Sequence, residues 1–180
     1  MKIDNENIFA TTLHKFEFNN QEMQPLLDEV DSKKNIIKKT SSFYTEHHSD
    51  NYFTDYKNPT KLYEYEMLIN MVANKYSNEG YSFDLFGYWT AIYGKNSIHN
   101  VHQHDTTDVN FSSILYLTNG GATSFLSSNS TTTQREHHET STVGKLIIFP
   151  STLWHYASYK DESERIIISS NMKIIGNEYV

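Results

Sequence analysis

The chain has 180 residues, no cysteine and a formal net charge of −7 with histidine neutral. Its length suits one domain with a real core, and the missing cysteine excludes disulfides and thiolate metal sites. Dispersed basic residues exclude a general nucleic-acid binder, which needs a basic face.

No run approaches the ~18 apolar residues that span a bilayer. Residues 1–7 lack the apolar segment of a signal peptide. No membrane partner is therefore expected, and a cytoplasmic location is. Residues 8–18 read as a strand or extended entry segment. Met23, Leu26, Leu27 and Val30 then fall at helix spacing, with Asn19 or Asn20 as cap. A second helix is expected from Pro59, capped by Asn58, with Leu62, Tyr65, Leu68 or Ile69, Val72 and Tyr76 on its face and Gly80 as its stop. Between the helices, residues 34–57, with His47 and His48, read as an ordinary surface connection rather than a substrate lid.

From residue 81 the pattern changes. Runs rich in β-branched and aromatic residues occupy 83–93, 110–118, 122–126, 144–149, 153–159 and 164–175. Turn signals at Gly94-Lys95-Asn96, Asn119-Gly120-Gly121 and 160–163 separate them. This predicts an antiparallel double-sheet domain. Residues 127–142 read as a polar, mobile insertion. The fold class is mainly β with supporting N-terminal helices (α+β), a cupin-like jelly roll or double-stranded β-helix. Residues 1–180 form one domain, with 1–80 as helical support and 81–175 as the jelly-roll core.

The chemistry is carried by histidines. In His102-Gln103-His104 the two imidazoles sit two residues apart, so on a strand they share one face. His155, from a distant strand, would complete a three-imidazole metal face with open positions. Arg165 follows across the predicted 160–163 turn. That turn places it beside His155 on an adjoining strand, where it can pair with a carboxylate. Lone histidines are more often structural, and His14, His47, His48, His99, His137 and His138 are read that way. Adjacent His137 and His138 would face opposite sides of a strand.

As a set, several segments resemble the iron(II)- and 2-oxoglutarate-dependent oxygenases. They are Tyr88-Trp89-Thr90-Ala91-Ile92-Tyr93, His102-x-His104, Ser113-Ile114-Leu115-Tyr116-Leu117, Gly120-Gly121-Ala122-Thr123-Ser124-Phe125, Gly144-x-Leu146-x-x-Phe149-Pro150-Ser151-x-x-x-His155, and Arg165 with Ser169 and Asn171. The resemblance covers roughly the C-terminal half. It is strongest to the prolyl-hydroxylase-like group and to small oxygenases of phage and marine bacterial genomes. It implies Fe(II) held by His102 and His155, with 2-oxoglutarate as cosubstrate and O2 as oxidant. Arg165 would bind the distal carboxylate of 2-oxoglutarate. Tyr116 or Tyr93 would hydrogen-bond it, with Ser169 and Asn171 nearby. The implied reaction is hydroxylation of an unactivated C–H bond, of a prolyl-type peptide or a small molecule. If the chain is phage-encoded, its compartment is the host cytoplasm.

One departure stands out. The family usually has His-x-Asp or His-x-Glu, and here the third position is His104. Asp105, Asp108 or water are the alternatives; His104 needs no distortion of the strand. Three other functions fit the same residues. One is a three-histidine cupin-type dioxygenase without 2-oxoglutarate. Another is a zinc hydrolase whose metal shell is three histidines and water. The last is a non-catalytic jelly-roll binding or structural module. The sequence names neither the primary substrate nor an oligomeric state.

Overall fold

A computed structural model describes residues 1–8, 11–40, 51–104, 107–127 and 136–176. In chain order its elements are β1 (Lys2–Ile8), β2 (Thr11–Glu17), α1 (Asn20–Thr40), β3 (Tyr52–Thr54), α2 (Tyr63–Asn78), β4 (Tyr81–Tyr93), β5 (Ser97–His102), β6 (Phe111–Tyr116), β7 (Ala122–Leu126), β8 (Glu136–Thr140), β9 (Lys145–Pro150), β10 (Trp154–Tyr159) and β11 (Arg165–Gly176). A seven-stranded sheet runs β1-β2-β9-β6-β11-β4-β3, and a four-stranded sheet runs β5-β10-β7-β8. The pairings are antiparallel. The two sheets make the double-stranded β-helix that the run of short strands predicts.

Strand alternation sorts the core into two layers. On β6, Ile114 and Tyr116 enter the cluster between the sheets, while Leu115 and, just past the strand, Leu117 join the cluster under the helices. β9 does the same with Ile147 and Phe149 against Leu146 and Ile148. On β11, Arg165, Ile167, Ser169 and Asn171 share the inner face by the same period of two. β4 breaks its alternation. Asn171 pairs with Gly87 and Met172 with Leu85, so Phe86 has no partner on β11 and forms a bulge. The extra residue resets the phase. Phe83, Leu85 and Tyr88 pack on the helix side, while Ala91 and Tyr93 face inward with Trp89 and Gly87 in step with them.

The helices differ from expectation in length and start. α1 continues to Thr40, into the segment read as a connection, because Ile37 extends its buried stripe one heptad past Val30. Asn19 Oδ1 accepts the Gln21 and Glu22 amides, and Glu22 returns a carboxylate to the Asn19 amide, a capping box. α2 starts at Tyr63 rather than Pro59. Residues 55–60 are held in a turn by Asp55, which accepts the Thr60 and Thr90 amides at 2.7 Å each. The first donors of α2, Tyr63 and Glu64, go to Glu29 of α1. The helix ends where expected, before Gly80 at φ 83.

Region 1–80 is more than helical support, since β1, β2 and β3 belong to the large sheet. β1 is an exposed, polar edge strand, which hid it in the sequence. Part of the expected polar insertion, Glu136–Thr140, is β8, also an edge. Its buried Glu139 binds Lys15 of β2 at 2.8 Å and Lys145 of β9 at 2.7 Å, joining the two sheets. Residues 41–50, with His47 and His48, and residues 128–135 lie outside the described set. Among the described residues, no helix is long and apolar enough to cross a membrane.

Candidate metal centre

β5 and β10 neighbour each other in the small sheet, with His102 opposite His155. His104 lies just beyond β5, where its amide donates to the Ser151 carbonyl at 3.0 Å. One ligand atom from each of His102, His104 and His155 lies within 4.8 Å of the others. The His102 and His104 rings stand 5.4 Å apart and 19° from parallel. His155 approaches them at 4.2 and 5.1 Å.

Each ring has an acceptor at Nδ1. His102 faces the Asn100 carbonyl at 2.8 Å, His155 the Leu153 carbonyl at 2.9 Å, and His104 the Asn171 Oδ1 at 2.6 Å. Those acceptors draw the proton to Nδ1 and leave the lone pair on Nε2, the arrangement metal-binding histidines need. Burial holds the His155 imidazole well below its ordinary pKa, and the nearby His102 and His104 add to the effect. Burial also lowers His104, against the opposing Asn171 hydrogen bond. The His104 and His155 rings are thus biased to the neutral, ligating form. Three imidazoles suit iron, zinc, copper or nickel.

Asn171 sits here rather than beside an anion site. Its Oδ1 also accepts the Ser112 hydroxyl at 3.0 Å, and Ser112 reaches Ser151 at 2.9 Å. Asp105 lies outside the described residues. Asp108 is exposed and lies outside the histidine cluster. A second cluster, Glu6, His137 and Glu139, is an ion network in which Lys15 contacts both carboxylates.

Arg165 is fully buried. The expected side-by-side placement with His155 is corrected: β10 and β11 lie in different sheets, because the 160–163 turn crosses between them. Both residues are buried, and on its own strand Arg165 pairs with Tyr93. The guanidinium carbon lies 4.8 Å from the Tyr93 ring and 5.4 Å from the Tyr116 ring. Nη2 donates to Thr123 Oγ1 at 2.9 Å, and the Tyr116 hydroxyl reaches the same oxygen at 2.9 Å. Nε and Nη1 have no hydrogen-bond partner among the described residues. A buried cation with unmet donors is costly, and a carboxylate is its natural complement. Gly121 permits the close approach: a Cβ there would lie 2.9 Å from Tyr159 and 3.1 Å from Arg165 Cδ.

An aromatic path joins this cation to the histidines. The Tyr93 hydroxyl lies 3.3 Å from His99 Nδ1, and the His99 ring stacks on His102 at 4.1 Å and 18°. Tyr52 also reaches His99, at 3.4 Å. Burial raises the Tyr93 pKa and pushes Tyr116 up to about 12, so both phenols stay neutral despite Arg165. Ser169 is buried on β11 between Ile167 and Asn171 in the inner-face series. Thr123, Ser112, His99 and the role of Asn171 carried no spacing signal in the sequence.

No protein-family model and no curated protein matches the chain by sequence. Solved structures match over nearly its whole length. A prolyl-4-hydroxylase of Pseudomonas putida aligns at TM-score 0.66 and 13% identity, covering 89% of this chain and 91% of its own. SnoK, a non-heme α-ketoglutarate-dependent carbocyclase from nogalamycin biosynthesis, aligns at 0.67 and 9% identity, covering 89% and 79%. HygX from Streptomyces hygroscopicus, with nickel, 2-oxoglutarate and hygromycin B bound, aligns at 0.63 and 10% identity, covering 93% and 84%. The chain therefore has the fold of the Fe(II)- and 2-oxoglutarate-dependent oxygenases.

Proposed function

We propose that this protein is an Fe(II)- and 2-oxoglutarate-dependent dioxygenase that hydroxylates an unactivated C–H bond. The observation that carries the reading is Arg165, a buried guanidinium whose Nε and Nη1 have no partner among the described residues. It is linked through Tyr93 and His99 to the three-histidine cluster. A structural module has no use for that expense.

His102, His104 and His155 would hold the iron, each oriented by its Nδ1 acceptor. Iron held there supplies O2 activation coupled to conversion of 2-oxoglutarate to succinate and CO2. Arg165 would bind the distal carboxylate through an unmet donor, such as Nη1 on the end of the guanidinium, while Thr123, bound to Nη2, fixes its plane. Tyr93 and Tyr116 wall the cation and keep water out, which strengthens the ion pair. Ser169 extends the inner face of β11 between this pocket and Asn171. Residues 1–180 act as one domain, with 81–175 as the catalytic core. The cytoplasm is its compartment, consistent with a chain that holds no cysteine.

The test is succinate release by the iron-loaded chain with and without 2-oxoglutarate. Succinate dependent on both Fe(II) and 2-oxoglutarate supports the reading. His104 in place of a carboxylate favours one alternative, a three-histidine dioxygenase in which Arg165 binds the substrate's own carboxylate. That enzyme binds iron and consumes O2 with no succinate.

A further inference from the structure

A groove of 510 Å³ opens beside the metal ligands, between the β4 bulge, the turn at Tyr56 and the segment at Asp108. We propose that it holds the primary substrate and takes a flat apolar ring of that substrate. The assignment rests on the oxygenase reading.

The groove reaches the metal through two side chains. Asn171 lines it and holds His104 at 2.6 Å. Trp89 lines it too, with its ring 5.7 Å from His104 and edge-on to Tyr56 at 4.8 Å. A ligand lying against Trp89 therefore sits next to the metal face. The outer wall is aromatic and open: Phe86 is 54% exposed and Tyr56 is 51% exposed. One exposed ring needs no explanation. These two rings flank one cavity, and the bulge is what turns Phe86 out of the sheet's regular pairing. Bulges re-aim side chains next to functional sites. Rings so placed bind flat apolar groups by offset or edge contacts.

Gly87 makes the room. It keeps step with Trp89, Ala91 and Tyr93 on the inner face of β4 and pairs with Asn171. Apart from its chain neighbours, a Cβ added there would meet no atom of the described residues within 4 Å, and Gly87 lines the groove. Among the described residues, the charged groups lining the cavity, Lys57 and Asp108, are of opposite sign and give no net field that selects a polyanion. The volume suits a small molecule.

Gly87→Leu tests the proposal, because the backbone accepts a side chain there and the groove does not. The probe is indole, followed by saturation-transfer NMR on Zn(II)-loaded chain and by its relaxation on Mn(II)-loaded chain. Wild type should bind indole, and Mn(II) should speed the relaxation of bound indole. Gly87→Leu should bind Mn(II) as wild type does and lose indole affinity by about tenfold. Phe86→Ser, at an exposed site, should lose about threefold to tenfold. Equal indole binding in wild type and both variants, with Mn(II) bound, overturns the groove assignment alone. Preference of the wild type for sucrose over indole overturns the flat apolar class. Failure of the wild type to bind Mn(II) overturns the oxygenase reading and the substrate role with it.

Discussion

Asn171 Oδ1 accepts the Nδ1 proton of His104 at 2.6 Å and the Ser112 hydroxyl at 3.0 Å. This amide, with the Ser112 hydroxyl 2.8 Å from the same Nδ1, thus orients a proposed metal ligand from the opposite sheet, since Asn171 belongs to β11 and His104 follows β5. Replacing such a partner typically weakens metal binding by about 10- to 100-fold. Asn171→Ala should do so in a Co(II) titration, and Asn171→Asp should retain affinity because its carboxylate accepts the same proton. Equal affinity in wild type and Asn171→Ala would show that the Asn171 amide does not orient a ligand.

Arg165 should oppose stability in the absence of an anion, since its Nε and Nη1 are buried and have no partner among the described residues. Arg165→Met keeps most of the volume and removes the charge. It should raise the stability of the ligand-free chain by about 1 kcal/mol or more, a rise in Tm of roughly 2–4 °C at this size. The same variant should lose 2-oxoglutarate binding. Arg165→Lys should bind 2-oxoglutarate weakly, because an ammonium lacks the planar fork. Thermal melts with and without 2-oxoglutarate read both effects. A destabilised Arg165→Met that still responds to 2-oxoglutarate contradicts the assignment.

His99 stacks on His102 and meets the hydroxyls of Tyr52 and Tyr93. His99→Phe preserves a ring and should keep most of the metal affinity. His99→Ala removes the ring and should weaken metal binding by about tenfold. Isothermal titration with Co(II) separates the two; identical affinities would make His99 a bystander.

The metal-free chain should be acid-labile. Burial lowers the His155 pKa well below 6.5, and His104 is lowered too. The unfolded imidazoles therefore take up protons first as pH falls, and unfolding gains. Stability is full above about 6.5 and is lost as pH drops toward the lowered folded-state values. Melting temperatures of the chelator-treated chain should fall below that pH, and His155→Leu should flatten the decline. Parallel pH curves for the two chains would rule out His155 as the cause.

The sequence carried the parts of this fold that depend on periodicity. β-branched and aromatic runs located most strands of the large sheet and β7 and β10 of the small one, and Gly80 marked the end of α2. Edge strands escaped because only one face is buried: β1 and β8 read as polar. The start of α2 escaped because its cap is Glu29, a carboxylate from another helix. At the site, the convergence of His102, His104 and His155 was legible from spacing and order. The placement of Arg165 in the opposite sheet was not, because a hairpin turn and a sheet-crossing turn look alike in sequence. Nor was Asn171 on His104, a contact set by tertiary register across 67 positions.

Anaerobic Fe(II) titration tests the proposed three-histidine iron site most directly. Wild type should bind one iron per chain. His155→Ala and His104→Ala should each lose that affinity, while His104→Asp should keep it and restore the usual carboxylate. Stoichiometric iron in His155→Ala, or undiminished affinity in His104→Ala, would contradict the account.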